Sequence, residues 1–390
     1  MQNYTELSQK AYDLAIAPGM SSRQAAEWLM NAASFQTLPE KLLKFYPGTP
    51  DDLQRLLRDE LYRSHPDANE RDSIRKNVRN WFTVAKGIDD RTISRPYALE
   101  ICFILKLTLE RADQLMKAVA GMGIHYRSPI EFVAAYALDN GLTYSQYVEL
   151  LGQLSTEGLL ELSDGAVSES FTPVVAAAVR MLHSVPELKR YLRENRGDFS
   201  AAHNTAHAFL TDMLDVLQNE GTDATVGELI ERNLYRRFVA RHSQLSALEK
   251  SIRNGWPDES QISRMRTREI PVGRKTLILL YLASGGGLSV KAPQTDAACD
   301  GDTAYDDFDY DDYGDADISA GDADFDAIRI QLDAMLTDCG YAPLNPRQPF
   351  DWMVLFGIAT GDLFDLDERF ETLLGELFGN APQARPSRQL

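Results

Sequence analysis

Two histidines spaced about one helical turn apart are the first residues that could do chemistry. His203 and His207 stand four positions apart in a segment of helical periodicity, so both imidazoles would lie on one helix face and could bind one zinc ion. Asn204 stands where a glutamate would be needed as general base, and no third ligand is evident. We therefore favour an ordinary histidine pair over a metal site. We expect no cofactor, no bound metal and no enzymatic activity.

Two further motifs are equally weak. The run Gly285-Gly286-Gly287 has neither a following Gly-Lys-Ser/Thr nor a βαβ pattern around it, so it does not predict a phosphate-binding loop. Cys102, Cys299 and Cys339 are far apart and odd in number, which argues against both a disulfide framework and a cysteine zinc site. The cysteines indicate a reducing compartment.

Composition limits the class of protein. A chain of 390 residues with 44% hydrophobic residues can form two or three packed domains. Residues 1–15 have neither the basic nor the apolar part of a signal peptide, and no apolar run is long enough to cross a membrane. We expect a cytoplasmic protein that does not bind membranes.

The elements that must position any functional residue are helices. Apolar residues recur at helical spacing along nearly the whole chain, and strand patterns are almost absent, so the sequence predicts an all-α fold. The predicted domains are N-terminal helices, a first module, a helical middle segment, a second module and a disordered tail. The N-terminal helices are residues 1–50, the first module is 51–165 and the middle segment is 166–244. The second module is 245–380 and the tail is 381–390.

An internal repeat underlies the two-module prediction. The segment Pro129–Leu138 matches Pro349–Ile358 in chemical type at an offset of 220 residues, and Arg127 matches Arg347 at the same offset. Leu99–Ile104 matches 277–282 at an offset of 178, so the second copy contains an insertion of about 42 residues. We interpret the pattern as a duplication, although helices that begin at proline can also look alike by chance.

The insertion, residues 285–326, is strongly acidic. Residues 296–326 contain 13 Asp and no Lys or Arg, so this stretch carries −13 of the net charge of −18 and leaves −5 for the remainder. Its residues cannot build a core, and we favour a disordered loop. A sharper hypothesis is that it mimics nucleic acid and masks a basic face of the protein. Calcium binding is disfavoured because the spacing of an EF-hand loop is absent.

Positive charge is concentrated in two other stretches. Residues 71–95 contain seven Lys or Arg against three Asp, and residues 228–275 contain eleven against six acids. Trp81 lies at the end of the first basic helix, and Gly87 and Arg95-Pro96 follow this helix in the pattern of a known family. With these residues, and with Leu105 to Thr108 behind them, the unit resembles the Xre/Cro/λ-repressor-like helix-turn-helix family.

The resemblance covers about 50 residues per copy and implies two diverged DNA-binding modules. In that family the helix before the glycine loop enters the DNA major groove, while neighbouring helix ends bind phosphates. Carried over to the first copy, it gives an outward face formed by Ser73, Arg75, Lys76, Asn77, Arg79 and Asn80. The first copy departs from the family in its long second helix and its long loop, residues 83–94.

The second copy has helix lengths closer to the family. The resemblance places Leu248, Ile252, Ile262 and Met265 inward. It places Gln261, Ser263, Arg264 and Arg266 on the reading face, with Arg268, Arg274 and Lys275 near the DNA backbone. Arg and Lys can contact guanine edges or phosphates, and Gln or Asn can pair with adenine.

The leading hypothesis is a regulatory protein that binds duplex DNA. In this hypothesis the acidic loop of the protein masks its own DNA-binding surface. The alternative is a non-enzymatic helical adaptor with degenerate helix-turn-helix folds, which binds a protein partner or a second copy of itself. A steep salt dependence of duplex affinity would separate the two hypotheses.

Overall fold

The all-α prediction is confirmed. The computed structural model describes residues 6–31, 35–83, 88–89, 91–161, 172–199, 204–219, 235, 246–284, 325–359 and 363–379. Within these ranges the chain forms 18 α-helices and no β-strand. Nearly all of the acidic insertion and the whole of the tail lie outside the described residues, so the prediction that they are disordered is not tested.

The helices follow one another with short connections. In chain order they are α1 (Glu6–Ala15), α2 (Ser22–Met30), α3 (Leu38–Leu43), α4 (Pro50–Ser64), α5 (Ala68–Phe82), α6 (Arg95–Ile104), α7 (Leu109–Ala120), α8 (Pro129–Asp139), α9 (Tyr144–Thr156), α10 (Thr172–Val179), α11 (Val185–Glu194), α12 (Asn204–Asn219), α13 (Ala247–Arg253), α14 (Glu259–Arg266), α15 (Arg274–Ala283), α16 (Phe325–Asp338), α17 (Pro349–Ile358) and α18 (Leu363–Phe378). None of these helices is both long enough and apolar enough to cross a bilayer.

Local sequence explains where many of the helices begin. Thr49 accepts a hydrogen bond from the backbone N–H of Asp52, and Pro50 occupies the first turn of α4. Asp67 accepts the N–H groups of Asn69 and Glu70 at the start of α5. Each such cap typically stabilises a helix by about 1 kcal/mol, because it satisfies donors that have no partner within the helix.

The described helices enclose two separate hydrophobic cores. Helices α3 to α11 surround the first core, in which Leu57, Ile74 and Phe132 are fully buried. Helices α1, α2 and α12 to α18 surround the second core, in which Leu29 and Trp352 are fully buried. We call these groups of helices the first lobe and the second lobe.

This division differs from the predicted domains. The predicted N-terminal domain, residues 1–50, is divided between the lobes. Helices α1 and α2 pack on α17 and α18 of the second lobe, whereas α3 packs on α4, α5 and α7 of the first lobe. The side chain of Trp352 donates from its Nε1 to the carbonyl of Ala11 at 2.8 Å. The predicted middle segment is also divided, since α10 and α11 join the first core and α12 joins the second.

The two lobes contact each other through hydrogen bonds between loops. The N–H of Gly123 donates to the carbonyl of Gly340 at 2.9 Å, and the N–H of Gln36 donates to the carbonyl of Arg347 at 3.0 Å. The guanidinium of Arg347 is buried and lies 3.5 Å from the Glu40 carboxylate. The connection between α2 and α3 therefore lies against the second lobe just before the chain enters the first.

Several contacts recur at the predicted offset of 220 residues. Asp113 accepts the N–H of Ile124 at 2.8 Å, and Asp333 accepts the N–H of Leu344 at 2.6 Å. The equivalent arginines, Arg127 and Arg347, are both buried. A second recurring bond joins the carboxylates at the start of α8 and α17 to the backbone six residues earlier. The pairs are His125 N–H with Glu131 at 2.7 Å and Asn345 N–H with Asp351 at 2.9 Å.

An arginine in each lobe completes this pattern. Arg95 binds Glu131 and the carbonyls of residues 122 and 123. Arg274 binds Asp351 and the carbonyls of residues 342 and 343. The two arginines are 179 residues apart, one more than the offset of 178 predicted for this helix. These recurrences support the hypothesis of two related modules, which stays a prediction.

Candidate nucleic-acid interface

Helices α13 and α14 form the unit that carries most of the predicted second-copy DNA contacts. Leu248 and Ile252 of α13 and Ile262 and Met265 of α14 are buried in the second core, on the sides of the helices where the sequence places them. The turn between the helices contains Gly255, whose φ of +76 lies in the left-handed region that favours glycine. The apolar sides of the two helices are fixed, and their polar sides remain outward.

The side chain of Gln261 has a local partner. Its Oε1 accepts the N–H of Asp258 at 3.2 Å, while the Asp258 carboxylate accepts the N–H of Gln261 at 2.8 Å. This reciprocal arrangement is a capping box, which satisfies two backbone donors at the start of α14. The predicted role of Gln261 as a base reader would require the capping bond to open.

Three other predicted residues of α14 are accessible. Ser263, Arg264 and Arg266 are all exposed. The Nε of Arg264 lies 3.4 Å from Glu269, and the Arg264 side chain is 53% exposed, so this ion pair is open to solvent and weak. Among the described residues Arg266 has no ion pair. The structure thus leaves two guanidinium groups and one hydroxyl available on α14.

Arg268 contacts α12. Its φ of +61 marks the tight turn after α14, and its Nη1 donates to Asn204 Oδ1 at 2.9 Å. Its Nη2 lies 3.5 Å from Nδ1 of His207, whose Nε2 lies 2.9 Å from the carbonyl of Arg266. Both ring nitrogens of His207 therefore have polar neighbours, while His203 lies outside the described residues. The described part of the chain contains no cluster of three or more potential metal ligands.

The predictions for Arg274 and Lys275 need correction. The Arg274 guanidinium is bound to Asp351 and to two backbone carbonyls, and only 19% of the side chain is exposed. The Nζ of Lys275 donates to the carbonyls of Ser251 and Ile252 at 2.8 Å each and also to that of Asn254. Both cations hold the second lobe together, since they satisfy carbonyls at turns and at the C-terminal end of α13.

The first-copy residues lie on α5, in the other lobe. Arg75 and Lys76 are exposed, but both bind the Asp72 carboxylate, at 2.6 and 2.7 Å. The hydrogen bond from Lys76 is the main cause that lowers the pKa of Asp72. Residues 50–82 contain seven acidic and seven basic side chains, so the α4–α5 hairpin has no net positive charge.

The remaining predicted residues of α5 differ in exposure. Arg79 and Asn80 are exposed, and Asn77 is half-buried. The carbonyl of Asn80 accepts a hydrogen bond from Arg91, which crosses the C-terminal end of α5. Helices α4 and α5 also pack along each other as a hairpin of two 15-residue helices, about twice as long as α13 and α14. The geometry of α5 supports contact with DNA less well than that of α14.

Two exposed cations on α13 were not among the DNA-binding residues predicted from the sequence. Lys250 and Arg253 stand three residues apart, which places them on one side of the helix, and both are exposed. Neither forms an ion pair with any residue that the structure describes. Their signal in the sequence was the spacing of two basic residues just before the Asn254-Gly255 turn.

Neither a protein-family model, nor a curated protein, nor a solved structure matches this chain.

Proposed function

We propose that the chain is a cytoplasmic DNA-binding regulatory protein that places helices α13 and α14 of the second lobe against duplex DNA. The observation that carries the proposal is the set of four exposed cations on these two short, consecutive helices. They are Lys250, Arg253, Arg264 and Arg266. Only Arg264 among them is paired with a described carboxylate, so the side chains of the other three are available for contact with DNA.

The arrangement gives the two helices separate roles. Lys250 and Arg253 stand near the end of α13 and would neutralise phosphates, which contributes affinity but not sequence preference. Arg264, Arg266 and Ser263 project from α14 and would reach base edges or the adjacent backbone. Arg274 and Lys275 support the unit from within the protein rather than touching DNA, and Arg268 connects its surface to α12.

Fluorescence anisotropy with labelled duplex DNA at a series of salt concentrations tests the proposal. We expect duplex affinity to fall with salt, and each phosphate contact that is removed should reduce the slope of log K against log salt by about 0.9. Arg253→Gln should therefore flatten the slope, whereas Arg55→Gln, an equal change of charge on α4, should leave it unchanged. Absence of duplex binding, or an equal effect of both variants, would refute DNA contact by α13 and α14.

A helical adaptor is the second candidate. Its support is a pair of exposed apolar side chains, Val174 on α10 and Met181 just after this helix, which are 55% and 75% exposed. The neutral charge of the α4–α5 hairpin also suits a protein partner or a second copy of the chain better than DNA. Sedimentation velocity over a range of concentrations distinguishes self-association, which Met181→Ser should weaken, from a monomer.

A further inference from the structure

A cavity of about 740 Å³ lies where the two lobes meet. Residues of α3 and α7 line it from the first lobe, and residues of α1, α13, α15 and the turn before α17 line it from the second. Its size is within the range of pockets that bind small molecules. Because both lobes supply its walls, it exists only in the assembled chain.

The lining of this cavity is rich in positive charge. Five of its residues are cations, namely Lys41, Lys44, Lys117, Arg274 and Lys275, and its one carboxylate is Asp351. That carboxylate binds Arg274 through two hydrogen bonds and neutralises it, so the remaining positive charge of the lining comes from the four lysines. Clefts lined by one sign of charge concentrate ions of the opposite sign.

Arg274, Lys275 and Lys117 are held by internal partners. Arg274 and Lys275 are held by backbone carbonyls, and Lys275 Nζ also lies 4.9 Å from the centroid of the Phe350 ring. Lys117 lies 2.9 Å from Asp113. Carbonyl acceptors fix the position of the Lys275 ammonium without cancelling its charge. Because Asp351 neutralises Arg274, the fixed positive charge of the second-lobe wall is that of Lys275, and few of the N–H donors on this wall remain for a ligand.

Lys44, on the first-lobe wall, differs from them. Its side chain is exposed, and it forms no ion pair with the residues that the structure describes. The side chain keeps contact with solvent, but the protein atoms packed around it partly desolvate its ammonium. This desolvation, followed by the charge of Arg347, lowers the pKa of Lys44, while the nearby Glu40 carboxylate acts in the opposite direction. Lys41 stands one helical turn earlier and is 8% exposed. Lys44 is therefore the cation of the lining that is available to bind an anion in the cavity.

We propose that the cavity binds a small phosphate-bearing anion, with Lys44 as its principal contact and Lys41 and Lys117 beside it. Phosphate suits the site because it presents several acceptor oxygens with more than one negative charge, and lysine binds it as a point charge. The side-chain amides of Gln114 and Asn345, also in the lining, can bind the uncharged part of such a ligand. This inference goes beyond DNA binding and does not depend on it.

Isothermal titration calorimetry on the full chain at 0.15 M salt tests the proposal, with pyrophosphate and ATP as separate probes. We expect saturable binding of at least one probe at a ratio of one per chain. Lys44→Gln should weaken it roughly tenfold, since a hydrogen bond to a charged group contributes that much. Lys44→Arg should retain binding, and Lys76→Gln on α5 is the matched control.

The relative affinities of the two probes show whether the natural ligand is a nucleotide or a phosphate chain without a nucleoside. Tighter binding of ATP supports a nucleotide, and equal binding supports recognition of the phosphate chain alone. The proposal is overturned if neither probe saturates, if Lys76→Gln weakens binding as much as Lys44→Gln, or if citrate competes as well as pyrophosphate. Circular dichroism and the melting temperature confirm that each variant folds, as expected for a substitution at the exposed Lys44.

Discussion

Arg274 binds Asp351 through two hydrogen bonds of 2.6 and 2.9 Å, and this pair joins α15 to α17 inside the second lobe. The carboxylate is 4% exposed and also accepts the N–H of Asn345. Two chain segments separated by 77 residues are thus fixed to each other by one planar guanidinium. Removing either partner leaves a buried charge without compensation.

Replacement of Arg274 by methionine should destabilise the second lobe by about 3–5 kcal/mol, because Asp351 would remain buried without its cation. Differential scanning calorimetry measures the effect as a lower melting temperature. Arg23→Met is the control, since Arg23 is 79% exposed and its ion pair with Glu27 is weak. The double variant Arg274→Met/Asp351→Leu should lose less stability than Arg274→Met alone. A melting temperature of Arg274→Met equal to that of the control would contradict this account.

The packing of α1 on the second lobe gives a second prediction. Trp352→Phe should destabilise that lobe by about 1–3 kcal/mol, because the carbonyl of Ala11 loses the Nε1 donor in a buried site. Trp28→Phe is a matched control. The Trp28 ring is 6.2 Å from that of Trp352, and the buried Nε1 of Trp28 has no hydrogen-bond partner among the residues that the structure describes. Urea unfolding followed by circular dichroism should therefore show a larger loss for Trp352→Phe, and equal losses would count against a role for this hydrogen bond.

The positions of the helices could be predicted from the sequence because their signals are local. Helix α4 was predicted to begin at about Asp51 and begins at Pro50, where Thr49 caps it and the proline is tolerated in the first turn. A short helix was likewise predicted over residues 258–266, and α14 begins one residue later because Asp258 is its N-cap. Buried and exposed sides of α13 and α14 follow from the same periodicity.

The partners of individual cations could not be predicted. Arg274 and Arg264 are the same residue type in one basic stretch, yet the first is buried against Asp351 and the second faces solvent. The difference depends on α17, which lies far along the chain. For the same reason the sequence did not show that α1 and α2 pack on α17 and α18, or that Lys44 lines a cavity between the lobes.

Stability should also depend on pH through Asp333. Burial raises the pKa of Asp333 to about 6, while the hydrogen bond from the Leu344 N–H and the charge of Arg329 act in the opposite direction. The folded state therefore binds this proton more tightly than the unfolded chain does. The resulting stabilisation is present at about pH 4 and is lost as pH rises to about 6, amounting to about 3 kcal/mol in all.

Asp333→Asn tests this dependence, because asparagine keeps the acceptor for Leu344 and cannot ionise. Melting temperatures of both proteins should be measured between pH 4 and pH 7. The variant should gain stability relative to the wild type as pH rises, and parallel curves would show that Asp333 does not titrate in this window.

The described cysteines should not react with thiol reagents in the folded protein. Cys102 and Cys339 have no exposed surface, and burial is the main cause that raises the pKa of both thiols, so thiolate is scarce at neutral pH. In a Cys299→Ser variant, Ellman's reagent should detect no thiol in the native protein and both thiols in guanidinium chloride. Rapid reaction of either thiol without denaturant would contradict the buried positions.

The last prediction concerns the acidic segment and rests on the proposed DNA binding. Deleting residues 296–326 removes 13 negative charges and no positive one, whereas the surface of α13 and α14 carries four exposed cations. If the segment competes with DNA for that surface, the deletion should raise duplex affinity at moderate salt, and the gain should shrink as salt increases because screening weakens both contacts. A variant with the same length and with Asn at the 13 Asp positions separates charge from bulk, and it should behave like the deletion. Fluorescence anisotropy measures both proteins, and an affinity that stays at the wild-type value in the Asn variant refutes electrostatic masking.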